Sequence, residues 1–183
     1  MHQKHVLFLF VCLCHCFIAF SQSEIISEVP TTGSEKRVYT TNSFGTADAP
    51  KIDGIIDEAA WNVVEWTTNY VQNEPDNGAE ATHETAFKIL YDDKFMYIAY
   101  RCFDPEPDRI VSRMSRRDGF EGDWVEINID SYHDLQSGFS FTSSVSGVKG
   151  DESITNQFNW DGSWNPIWYL KTKIDEKGWT AEV

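Results

Sequence analysis

Across residues 123–130 the side chains alternate with a period of two: Val125, Ile127 and Ile129 point one way, and Trp124, Glu126, Asn128 and Asp130 the other. Such a segment suits a strand with one buried and one open face; wound as a helix, it would scatter its apolar side chains around the axis. The pattern recurs along the chain. Residues 85–91 and 95–103 are rich in aromatic and β-branched side chains and flank Asp92-Asp93, which predicts a hairpin. A second hairpin is expected from 139–145 and 148–154, with Gly147 near its turn, and a third from 167–174 and 179–183 around the turn at 175–178. Residues 37–41 are a candidate first strand. Beyond an apolar run at the start, no segment holds a long 3.6-residue period. The expected class is therefore all-β: an antiparallel β-sandwich of jelly-roll or immunoglobulin-like two-sheet architecture. One short helical turn interrupts it, where Asp57 is placed to cap residues 59–61, Glu58 stands in the first turn, and Trp61 plugs the core.

The first 21 residues form a separate unit. Lys4 precedes an apolar run over residues 6–20, short for a bilayer span, and Ala19 and Ser21 are small; this reads as a secretory signal peptide cleaved near Ser21-Gln22. Residues 22–36, rich in Ser, Thr and Glu, read as a flexible lead-in, and 37–183 as the sandwich. The expected destination is the periplasm, the outer membrane or the exterior, reached by the general secretion pathway. Cleavage removes Cys12, Cys14 and Cys16 and leaves Cys102 alone, a small core hydrophobe with no disulfide partner. About 160 residues can bury enough apolar surface to fold without one. The last strand, 179–183, meets no turn or cap, which predicts a longer parent chain with a downstream region.

The formal charge of −14 excludes nucleic acid as a partner, because its phosphates would be repelled. The charge suits a neutral ligand such as a glycan, and most of it is accounted for by a solvated acidic surface. Asp104, Glu106, Asp108, Asp118, Glu121, Asp123, Asp130 and Asp134 offer the hard oxygens that calcium takes, though none falls in the EF-hand spacing. Asp123 and Glu126 form a conceivable glycosidase pair, with exposed strand acids as the simpler reading. His83 and His133 are too few and too far apart for zinc, and nothing in the chain matches a Ser-His-Asp set, a phosphate-cradling loop or a dinucleotide fingerprint.

The loop at 156–165 concentrates the chemistry that sugars require. Sugar rings present flat C–H patches that stack on aromatic faces, and their hydroxyls need polar partners to offset desolvation. Asn156, Gln157, Asn159, Trp160, Asp161, Trp164 and Asn165 supply both within ten residues. The alternative is that Trp160 and Trp164 pin a long loop to the sandwich. Arg113, Arg116 and Arg117 form a basic island; a guanidinium can fork onto vicinal hydroxyls or a uronate, or pair with Asp118, Glu121 and Asp123. Trp168 and Trp179 lie on strands and read as core.

Ile52-Asp53-Gly54, Asp57-Glu58 and Trp61, followed by the Tyr91-Asp92-Asp93 hairpin, Val125-Glu126-Ile127 and Gly178-Trp179-Thr180, resemble the family 9 carbohydrate-binding modules. The resemblance runs from about residue 37 to the last and looks closest to amino-terminal modules of large secreted proteins from glycan-degrading Gram-negative bacteria. It implies a sandwich that holds polysaccharide or oligosaccharide between two aromatic faces without cutting it, with structural calcium in some members and no cofactor required. Tyr91, where a strict sugar binder has Trp, is then the first wall, Trp160 or Trp164 the second, with Arg116, Arg117 and Asn159 for polar contacts. Such a module would tether a parent linked to polysaccharide breakdown, with a glycoside hydrolase as the candidate parent. The alternatives are a docking domain packed on that parent's downstream region, an enzyme module, or a haem site drawn from Met96, Met114, His83 and His133.

Overall fold

The computed structural model describes residues 37–45, 48–119 and 121–183; the leader and the lead-in fall outside them. Among the described residues of the unit Val38–Val183, nine strands form two sheets. The first sheet contains β1 (Asn42–Ser43), β2 (Thr85–Tyr91), β3 (Met96–Phe103), β9 (Gly178–Glu182) and β8 (Lys171–Asp175), in that spatial order. The second contains β4 (Trp124–Ile129), β5 (Gly138–Ser144), β6 (Lys149–Thr155) and β7 (Asn159–Asp161), in order. The strand pairings are antiparallel apart from β1 with β2. The sandwich and the three expected hairpins are present.

One core lies between the sheets. Ile98, Tyr100 and Cys102 of β3, with Trp179 and Ala181 of β9, meet Val125 and Ile127 of β4 and Phe141 of β5, and Val145, Trp168 and Leu170 complete it. Trp168 and Trp179 are buried as expected. The Cys102 thiol is buried too, and that burial pushes its pKa up to about 12, so it behaves as an apolar plug and not a nucleophile.

A second core covers the opposite face of the first sheet. Phe44, Ala60, Trp61 and Val64 lie on Leu90, Tyr97 and Ala99. The chain that precedes β2 is thus a cover for the back of the sheet, and Trp61, 2% exposed, is its plug. Glu182 fastens the cover. Its side chain, opposite Ala99, accepts hydrogen bonds from the Asp53 and Gly54 backbone N–H groups at 3.0 and 2.8 Å and from Trp61 Nε1 at 3.2 Å. Thr180 Oγ1 donates to the Gly54 carbonyl at 2.6 Å.

Gly54 has φ +90, and a Cβ there would stand 3.0 Å from the Thr172 carbonyl carbon. Both the backbone conformation and the space call for glycine. Gly54→Ala is expected to cost about 1–2 kcal/mol. The check is a lower urea midpoint at unchanged slope.

Two local expectations differ from the structure. The helical turn is a 3₁₀ segment, Ala59–Val63, which follows Glu58 without a side-chain cap; Glu58 Oε1 instead accepts from the Lys51 N–H at 3.0 Å, so the preceding chain is stapled rather than the turn capped by Asp57. The first strand is Asn42–Ser43, not 37–41. Side chains replace the ladder there: Thr41 Oγ1 donates to the Ile89 carbonyl at 2.6 Å, and the Tyr39 hydroxyl accepts from the Ile89 N–H at 3.2 Å.

Candidate functional site

The sequence candidates divide between the two sheets. Tyr91 ends β2 directly opposite Met96, and its ring is 46% exposed. Phe95 and Met96 beside it are also exposed. Phe95 and Met96, but not Tyr91, line an open groove of about 270 Å³ together with Ile167, Trp168 and Tyr169. The local sequence explains this wall. Over residues 167–170 the chain alternates, placing Trp168 and Leu170 in the core and Ile167 and Tyr169 in solvent. The same alternation was legible in the sequence, but Tyr169 was not singled out from it, nor was Phe95 from the hairpin.

The second neighbourhood lies on the four-stranded sheet. Asn159 and Trp160 fall on β7, a short edge strand inside what reads as a loop, with Trp160 opposite Ile154 and 46% exposed. Trp164 behaves differently. Its ring centroid is 4.5 Å from that of Phe139 and 5.6 Å from that of Phe141, so it is half-buried and anchors the chain to β5. From there the backbone runs to Trp168, which packs edge-on against Phe141 at 5.5 Å. Among the described residues no ring pairing joins Tyr91 to Trp160 or Trp164.

Arg117 and Arg116 part company as well. Arg117 Nη2 is ion-paired with Asp151 of β6, whose side chain is fully buried, and it also donates to the Pro166 carbonyl at 3.3 Å. Trp168 Nε1 donates to the same Asp151 oxygen at 3.0 Å. The nearby acid, Asp118, has another role: its carboxylate accepts from the Asp151 N–H at 3.0 Å while its own N–H donates to the Lys149 carbonyl, so it continues the edge of β6. Arg116 is exposed.

Lys149 Nζ donates to the Trp168 carbonyl and lies 5.2 Å from the Trp168 ring centroid and 6.0 Å from that of Tyr169. Burial, and then the Arg117 charge, hold its pKa below the usual lysine range. The groove wall at 166–169 is therefore held by two cations from beneath. Among the described residues no group of three His, Cys, Asp or Glu side chains gathers as a metal centre.

The protein-family model described as "Carbohydrate family 9 binding domain-like" matches residues 52–183. Among solved structures, the chain is similar to a family 9 carbohydrate-binding module from Caldicellulosiruptor kristjanssonii in complex with glucose. The TM-score is 0.55 at 23% identity, covering 79% of this chain and 66% of that one. A family 9 module from the same organism in complex with cellotriose gives 0.55 at 24% identity, covering 80% and 65%. The chain thus spans just under two thirds of the length of these structures, and at such identity the likeness establishes the fold. No curated protein matches.

Proposed function

This chain belongs to the carbohydrate family 9 binding domain-like family, and we propose that its sandwich is a non-catalytic module that holds glycan. The reading is supported by two half-exposed rings, Tyr91 on the five-stranded sheet and Trp160 on the four-stranded one, each set on a strand instead of a free loop. A ring fixed by a sheet loses little freedom when a sugar stacks on it, so most of the contact area contributes to affinity. Asn159 and Arg116, both exposed, can meet hydroxyls at the edges of such a stack. The related modules hold glucose and cellotriose, which makes a gluco-configured oligosaccharide the ligand to try first. Stacking and hydrogen bonding supply the binding; no metal is needed. The leader at 1–21 fits export, and a module of this kind serves to keep a larger secreted or envelope protein of polysaccharide breakdown near its substrate.

Cellotriose binding by calorimetry, and retardation in gels that contain soluble glucan, test this. Tyr91→Ala and Trp160→Ala are each expected to weaken binding about tenfold, as loss of one stacked ring does. Unaltered affinity in both variants, or no binding by the parent chain, overturns the proposal. A docking role is the second reading, favoured by one observation: Ile167 is 90% exposed and Phe95 54% exposed on the same apolar groove. That role predicts no saccharide retardation at all.

A further inference from the structure

We infer that the apolar groove between residues 95–97 and 167–169 is a slot for a β-strand, and that its occupant is a downstream segment of the parent chain, entering in line with β9. Strand register explains the walls of the groove. Glu182 of β9 stands between Ala99 of β3 and Lys171 of β8, and Val183 pairs with Ile98. Along the same line, three further positions fall between Tyr97 and Tyr169, then Met96 and Trp168, then Phe95 and Ile167. Those six residues are the side walls of the groove. Its flanks therefore stand two strand spacings apart, about 10 Å, the width that one strand fills.

The backbone on both flanks is set for pairing. Ile98 and Val183 exchange two ladder bonds, at 2.8 and 2.9 Å. In an antiparallel sheet one residue bonds the neighbour on one side and the next residue bonds the neighbour on the other. Met96, two before Ile98, therefore aims its N–H and C=O into the groove. By the same alternation the Glu182 backbone bonds β8, and Tyr169, two before Lys171, aims its own N–H and C=O inward from the opposite flank. The adjoining Trp168 carbonyl is turned to Lys149 Nζ, as that alternation requires. A row of open backbone groups is a template for strand addition, and here two rows face each other.

The lining side chains state what the strand must be. Tyr97, with Pro50 and Ile52, belongs to the cover side of the sheet, and Met96 and Trp168 to the sandwich side. A strand buried on both faces is apolar at successive positions instead of alternate ones. Such a run would cover Phe95, Met96, Ile167 and Tyr169, the large exposed side chains of the groove. A continuous segment is favoured over a separate peptide, because Val183 already stands in the ladder at the mouth of the groove and sets register and direction. The inference gives the groove of the docking reading its occupant. It does not depend on the glycan surface, since neither Tyr91 nor Trp160 lines the groove.

The test appends three residues to the whole chain after Val183: Val-Ile-Val in one variant, Gly-Ser-Gly in a second and Val-Pro-Val in a third. In urea melts, Val-Ile-Val is expected to raise the folded-to-unfolded ratio about tenfold over Gly-Ser-Gly. Val-Pro-Val keeps the apolar area but lacks the N–H that Met96 would accept, and should retain less than about half of that gain in free energy. Ile167→Ser, at an exposed position, should lower the gain of the Val-Ile-Val chain about threefold. Amide exchange at Met96 and Tyr169 should slow about tenfold in that chain alone. The inference is overturned if the three extended chains are equally stable, if Val-Pro-Val keeps the whole gain, or if exchange at Met96 is not slowed. Cellotriose titration of the same chains is the separate arm: its failure bears on the glycan proposal alone.

Discussion

Glu182→Ala is expected to lower the unfolding free energy by about 3–5 kcal/mol, a large share of what a domain of this size possesses. Glu182 is fully buried and accepts three hydrogen bonds, two from the backbone of the 53–54 turn and one from the Trp61 indole. Alanine leaves three donors facing a small void, and each buried donor without an acceptor costs about 1–3 kcal/mol. Part of this is recovered if water enters. The damage should be local first: the cover over residues 52–64 loosens, Trp61 emission shifts to the red, and urea unfolding then occurs at a lower midpoint. Loss of under about 1 kcal/mol would mean that the cover is held by Trp61 packing alone.

Glu182 also gives a pH signature. Burial is the largest influence on its carboxyl and raises the pKa above the ordinary 4.5, against the pull of its three donors. The folded protein therefore keeps this proton to a higher pH than the unfolded chain does. Its contribution is whole below about pH 4.5 and is lost as pH rises through the folded value. Glu182→Gln cannot titrate. The stability difference, parent minus Gln variant, should accordingly fall as pH climbs through that window, and urea melts of both proteins between pH 4 and 7 would show it.

What the sequence discloses and withholds can be seen in these same residues. Period-two alternation placed β4, and aromatic runs around turn residues placed the hairpins, because one buried face and one open face leave a mark on every second residue. Glu182 lies where that mark fails. All five residues of β9 are buried, since the sheet has a core on one face and the cover on the other. An acid in such a strand reads as outward-facing until the segment 128 residues earlier is laid over it. Asp151 is hidden in the same way: Arg117 has Asp118 next to it in sequence, yet it pairs with an acid 34 residues away. The candidate surface was half legible. Aromatic and amide side chains at 156–165 mark a functional loop, but composition does not say that Trp160 stays open while Trp164, four residues on, stacks over Phe139.

Arg117→Ala is expected to cost about 2–4 kcal/mol, the lower side of what breaking a buried ion pair costs, because the guanidinium is 36% exposed. Its partner is not exposed at all. Without Arg117, the Asp151 charge keeps only the Trp168 indole on one oxygen, and the other oxygen has no partner among the described residues. The loss propagates to the groove, since Arg117 also holds the Pro166 carbonyl and Trp168 is part of the wall. Three variants separate anchoring from direct sugar contact. Arg117→Ala/Asp151→Asn should recover part of the lost stability, because no orphan charge remains. Arg117→Lys should recover part of it too, through a point charge without the fork. Arg116→Ala, at an exposed position, should change stability by less than about 0.5 kcal/mol and so report on cellotriose affinity alone. If Arg117→Ala unfolds no sooner than the parent chain, the anchoring of the 166–169 wall by Arg117 fails.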